Sequence, residues 1–119
     1  MGYRSEVVVA TVKDNKSLIE ALEECEADTI AIKDNAVYYY FYEYKWYESY
    51  PHVSKVMSEM SNCKTIKIKE HSYEYETDSY AFMRIGEDYD DIETHGDCYI
   101  FGIGCSRTIE VDENARDNN

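Results

Sequence analysis

The sequence predicts an α+β domain, an antiparallel sheet with two helices packed on one of its faces. Three observations lead there. Short runs with the two-residue period of a strand alternate with two stretches of helical period. The chain has 119 residues, of which 44% are hydrophobic, enough for one core without disulfide staples. No linker, internal repeat or composition shift divides it. Residues 1–111 are therefore expected to form a single domain. Residues 112–119 lack apolar periodicity and are expected to be a disordered acidic and polar tail.

The elements follow in order. Arg4 to Val12 is a β-branched run and reads as a central strand. Asp14 and Asn15 offer helix caps, and Leu18, Ala21, Leu22 and Cys25 then recur at helical spacing with Glu20, Glu23 and Glu24 outward. Thr29 to Lys33 reads as a second strand, and Asp34-Asn35 as a hairpin turn. Ala36 to Tyr47 is the longest strand, with Tyr38, Tyr40, Tyr42, Tyr44 and Trp46 assigned to one face by the two-residue period. Pro51 suits a first helical turn, where its missing N–H costs nothing. Val53, Val56, Met57 and Met60 complete an amphipathic helix that stops near Ser61-Asn62.

Thr65 to Lys69 alternates isoleucine with lysine, as edge strands do. Tyr80 to Gly86 and Cys98 to Gly104 read as further strands, and Arg107 to Val111 as a last short one. The order β-α-β-β-α-β with extra C-terminal strands is the split βαβ of a ferredoxin-like domain. The tyrosine-rich sheet face is then either exposed or covered by the C-terminal hairpin.

Composition narrows the function classes. There are 25 acidic against 12 basic side chains, a formal net charge of −13. Such a chain repels phosphates, so direct nucleic-acid binding is disfavoured and basic proteins are attracted. The same surplus also keeps a small protein soluble. Cys25, Cys63, Cys98 and Cys105 have no CxxC spacing and read as reduced thiols of a cytosolic protein. No signal-peptide pattern is read before the first strand. No apolar run approaches the ~20 residues of a membrane span. No cofactor is expected.

The chemistry concentrates in Glu87 to Asp97, where eleven residues carry six carboxylates, one histidine and no lysine or arginine. If the segment bound a metal, Glu87, Asp88, Asp90 and Asp91 would be its ligands. The EF-hand spacing is absent, however, because no glycine stands at the needed turn. A metal-dependent hydrolase would pair Glu87, Asp91 or Glu93 with His95. No Walker loop, nucleophile elbow or Cys–His signature accompanies that pair. A protein interface would use Asp88, Asp90, Asp91 and Glu93 as contacts, with Tyr42, Tyr44 and Trp46 as aromatic neighbours. Arg84 is expected to turn onto nearby acids such as Glu87 or Asp91, a salt bridge anchoring the loop being favoured over a substrate clamp. Tyr89 and Ile92 are expected to anchor the segment as buried residues. The alternative is a small-molecule or nucleotide-binding domain with a pocket between the aromatic sheet face and the C-terminal hairpin. Anionic ligands there would need Arg4, Arg84, Arg107 or the Lys64–Lys69 cluster to converge.

Met1-Gly2-Tyr3-Arg4-Ser5-Glu6-Val7, Lys45-Trp46-Tyr47, Met83-Arg84-Ile85-Gly86-Glu87 and Tyr89-Asp90-Asp91-Ile92-Glu93 together resemble a group of small phage and prophage proteins. The resemblance implies a viral accessory protein of the host cytoplasm and carries no catalytic residues with it. The chain departs from the pattern over Lys64–Glu76 and in Cys98–Cys105. Charge, tyrosines and resemblance together point to a non-catalytic acidic protein that engages a basic host or phage protein. Host defence factors and nucleic-acid enzymes are the partner classes this suggests.

Overall fold

The computed structural model describes residues 2–88 and 90–105. Among them the chain runs β1 (Ser5–Val12), α1 (Lys16–Glu23), β2 (Thr29–Lys33), β3 (Ala36–Tyr44), α2 (Pro51–Ser61), β4 (Thr65–Glu70), β5 (Tyr73–Asp78), β6 (Tyr80–Ile85) and β7 (Ile92–Gly96). This is an α+β domain. Five strands form one antiparallel sheet in the order β2-β3-β1-β6-β7, while β4 and β5 pair only with each other. The expected tail 112–119 and the expected strand Arg107–Val111 lie outside the described residues.

Both helices cover the same sheet face. Val7 and Val9 of β1, Phe41 of β3 and Phe82 of β6 meet Leu18 and Leu22 of α1 and Val53 and Val56 of α2, all at most 1% exposed. Cys25 caps this core just beyond α1, and burial pushes its thiol up to about 11. Pro51 opens α2 at its first turn, as the missing N–H allows. Asn15 stands at the start of α1, but its side chain does not cap the helix. Its amide instead donates to Thr11 Oγ1 and Ser79 Oγ, both at 2.9 Å, tying α1 to β1 and the start of β6.

The structure departs from the sequence reading in four places. The strand after α2, expected in the main sheet, forms a separate hairpin, and β6 occupies the place beside β1. An inner strand needs apolar side chains on both faces. Thr65–Glu70 has them on one face only, whereas Ala81 and Phe82 are fully buried on opposite faces. In the hairpin, Lys67 lies opposite Glu76 and Lys69 opposite Glu74, pairs that favour this local register.

The second departure is in β3. Glu43 adopts a left-handed φ of 50°, and the pairing with β1 slips by one residue between Val7↔Phe41 and Ser5↔Tyr44. Such a bulge reverses which side chains face the core. Tyr44 and Trp46 therefore leave the row of Tyr38, Tyr40 and Tyr42 and join Phe41 on the helix side.

Third, residues 98–102 form turns rather than a strand. Asp97 accepts the Ile100 N–H at 3.1 Å, Gly102 has φ 71°, and Ile103 N–H closes on Cys98 O at 2.9 Å. This places Phe101, 8% exposed, over Ala10 and Ala81 on the sheet face away from the helices. Fourth, half of the acidic segment is strand β7, with Glu93 opposite Arg84 and His95 opposite Phe82.

Candidate functional site: the acidic end of the sheet

The β6–β7 connection is a tight reversal. Gly86 N–H donates to Asp91 O at 2.8 Å, Asp91 N–H to Asp88 O at 3.1 Å and Ile92 N–H to Asp90 O at 3.0 Å. Six carboxylates in so short a stretch repel one another, and one cation organises three of their oxygens. Arg84 Nη2 and Nη1 fork onto Asp91 at 2.8 and 3.2 Å, and Nε donates to Glu93 Oε1 at 3.0 Å. Its Nη1 also donates to Ser5 Oγ at 3.1 Å. The hydrogen bonds donated to Asp91 hold the Arg84 guanidinium pKa above its ordinary value; burial opposes this and Glu93 adds to it.

The N-terminal residues close the cluster. Tyr3 Oη donates to Asp91 Oδ2 at 2.5 Å and accepts the Asp88 N–H at 3.1 Å. Arg4 N–H donates to Glu87 Oε2 at 2.6 Å, and Arg4 Nη1 to Glu43 O at 3.1 Å. Gly86 is required by this crowding, since a Cβ there would come within 2.1 Å of Asp91 Oδ2 and 2.3 Å of Tyr3 Oη. Gly2 packs as closely on the Lys45-Trp46-Tyr47 block, where a Cβ would meet Tyr47 Oη at 2.4 Å. The sequence blocks Gly2–Ser5, Lys45–Tyr47, Arg84–Asp88 and Asp90–Glu93 thus meet at one end of the sheet.

The expected site residues differ in burial. Asp91 and Glu93 are half-buried and serve Arg84. Asp88, Asp90 and Glu87 are exposed. Arg84 pairs with Asp91, as expected, and with Glu93 rather than Glu87. Ile92 is 45% exposed, so it is not the buried anchor its apolar side chain suggested; Asp91, through Arg84 and Tyr3, fills that role. The expected anchor Tyr89 lies outside the described residues. Tyr42 is 49% exposed, as a contact residue requires. Trp46 is 6% exposed and packed on Phe41, Tyr44 and Phe82, so it is core rather than surface. Tyr44 is half-buried and donates to Cys25 O at 3.0 Å, and burial pushes its phenol up to about 12.

Two other chemistries can be weighed against this geometry. His95 Nε2 does meet Glu93 Oε2, at 2.7 Å. Burial raises the Glu93 carboxyl, but hydrogen bonds from His95 and Arg84 outweigh it and hold the group below its ordinary value. A carboxylate so held stays ionised and is a poor proton donor. Among the described residues, no three or more His, Cys, Asp or Glu side chains are grouped to hold a metal ion. The cations proposed for an anionic ligand do not converge. Arg84 is committed internally, Arg4 borders the acidic end, and Lys64 borders a separate hollow beside the start of α1. Arg107 lies outside the described residues.

Two connected hollows open beside the acidic turn. One of about 510 Å³ lies between Arg4, Glu6, Tyr42, Glu43 and Glu87. The other, about 320 Å³, runs over the sheet face between Tyr38, Tyr40, Tyr42 and the Phe101–Gly104 turn. They share Glu6 and Tyr42. Sequence reasoning missed Tyr3, Ser5, Glu6 and Glu43. The first three stand at the start of β1, beside β6, and only the strand order brings them to the acidic turn; the bulge at Glu43 has no sequence signal of its own.

No protein-family model matches the chain, and no curated protein or solved structure is significantly similar to it. Among the described residues no helix is long and apolar enough to cross a membrane.

Proposed function

We propose that the protein is a non-catalytic binding protein that docks a basic protein partner on the acidic end of its sheet. The observation that carries this is the placing of exposed Glu6, Glu43 and Glu87 beside the exposed ring of Tyr42, with exposed Asp88 and Asp90 in the adjoining turn, on a frame organised by Arg84. Surface carboxylates steer a cationic partner in, and a tyrosine beside them supplies area that can be desolvated on contact. The phage-like motif blocks extend the reading to a viral accessory protein acting in the host cytoplasm, with a defence factor or a nucleic-acid enzyme as its target. Their residues build the cluster that positions the acids, which supports treating them as one functional unit.

We also read the sheet as a variant of the ferredoxin-like split βαβ. In this reading β1 and β2 flank β3, β6 serves as the fourth strand, and the β4–β5 hairpin is an insertion.

The test is affinity capture from infected cells with the wild-type chain and with a D88N/D90N variant. A partner retained by the wild type, released by moderate salt and lost with the variant supports the proposal. Equal retention by both proteins overturns it.

A further inference from the structure

Among the described residues, the sheet face away from the helices is covered at one end only. Phe101 packs edge-on against Tyr38, their ring centroids 6.4 Å apart, and accepts the Tyr38 hydroxyl on its carbonyl oxygen at 2.8 Å. Beyond that contact the described residues leave the face open. Tyr40 and Tyr42 stand side by side with ring planes within 20° and centroids 6.4 Å apart. They wall a groove that runs from the Phe101–Gly104 turn to the acidic end. There Glu6, Glu43 and Glu87 border it, against one cation, Arg4, whose guanidinium is directed at the Glu43 carbonyl oxygen at 3.1 Å. Lys33 borders the groove away from those carboxylates. The groove is therefore aromatic along its length and negative at one end.

We infer that this groove reads arginine side chains of an extended partner segment, their guanidinium planes lying on Tyr40 and Tyr42 and their N–H groups forked onto Glu6, Glu43 or Glu87. The inference rests on the binding reading above and names what that reading leaves open. Acidic charge alone would take lysine and arginine equally. Parallel tyrosine faces next to carboxylates favour a planar, weakly hydrated cation that can stack and hydrogen-bond at once, which an ammonium cannot do. Fork geometry onto a carboxylate adds to the same preference.

The test uses two capped peptides, one alternating glycine with arginine and one with lysine in place of every arginine. Binding to the full chain is followed at low salt through the tyrosine ring resonances. The arginine peptide should bind roughly twofold to fivefold tighter, the range set by a cation–π contact at an exposed site. It should shift the rings of Tyr40 and Tyr42. Tyr42→Leu should erase the preference by weakening the arginine peptide more than the lysine peptide, bringing the two affinities together. The side chain is half exposed, so the variant keeps its fold, and Tyr40→Leu is the independent second variant. Equal affinity for the two peptides, or unmoved ring resonances, overturns the arginine groove and leaves the basic-partner reading standing. Binding of neither peptide overturns both. Ring shifts that follow protein concentration without peptide assign the groove to a second copy of the chain and overturn the inference.

Discussion

Replacing Arg84 by methionine keeps most of the side-chain volume and removes every donor from the centre of the acidic cluster. The side chain is 16% exposed, and its partners Asp91 and Glu93 are 31% and 29% exposed. Three hydrogen bonds to carboxylates and one to Ser5 would be lost. A charge-assisted bond contributes about 1.5–3 kcal/mol when well buried. Here both carboxylates regain water on one side, which offsets much of that sum, so the expected loss is about 2–3 kcal/mol. For a domain of this size that lowers the melting temperature by roughly 8–12 °C. Equilibrium urea unfolding at neutral pH measures it directly. Lys55→Met is the control, since Lys55 and Glu24 form an exposed pair at 3.7 Å with side chains 51% and 58% in solvent. That change should cost less than about 0.5 kcal/mol. If Arg84→Met costs no more than Lys55→Met, Arg84 does not organise the acidic end, and the account of the site fails.

Three further outcomes follow from the same geometry. Gly86→Ala should cost about 1–2 kcal/mol in urea unfolding, because the added methyl group must break the contact between Tyr3 and Asp91. Trp46→Ala should cost about 3–5 kcal/mol by the same assay, as expected for a large buried aromatic, whereas a surface residue would lose almost nothing. Glu93 is held below its ordinary carboxyl value, so its stabilising contribution is fully present above the ordinary range and is lost as pH falls through the lowered value. The stability gap between wild type and Glu93→Gln, read from urea midpoints across the acid range, should therefore be constant near neutrality and shrink on acidification. A gap that widens with acid contradicts the assignment.

Periodicity alone placed most of the elements. Leu18, Ala21 and Leu22 are the buried face of α1, and Val53, Val56 and Met60 that of α2, because helical spacing and burial report the same thing. What failed was non-local. The residues Thr65–Lys69 have a strand's composition, and nothing within them says which strand they will pair with. The turn at 98–102 depends on the Asp97 carboxylate and a left-handed Gly102, while the segment itself is β-branched and aromatic enough to pass for a strand. The site was legible in kind and not in membership. A dense run of carboxylates beside an arginine announces an ion-pair cluster, but the tyrosine that completes it comes from the other end of the chain.

The acidic surplus performs two tasks that the sequence cannot separate and the structure does. Asp91 and Glu93 neutralise Arg84, and Asp97 holds the following turn and accepts the Thr77 hydroxyl, so these carboxylates belong to the fold. Glu6, Glu43 and Asp90 are exposed, Glu6 and Glu43 bordering the hollow beside Tyr42, and belong to the surface. Substitution in the first group should lower the urea midpoint as well as alter any binding, so that the two effects are mixed. Substitution in the second should change association while leaving the urea midpoint within about 0.5 kcal/mol of wild type. The distinction decides how any loss of function is read. A charge-reversed loop that includes Asp91 would abolish binding by either route, whereas Glu6→Gln and Asp90→Asn isolate recognition from stability.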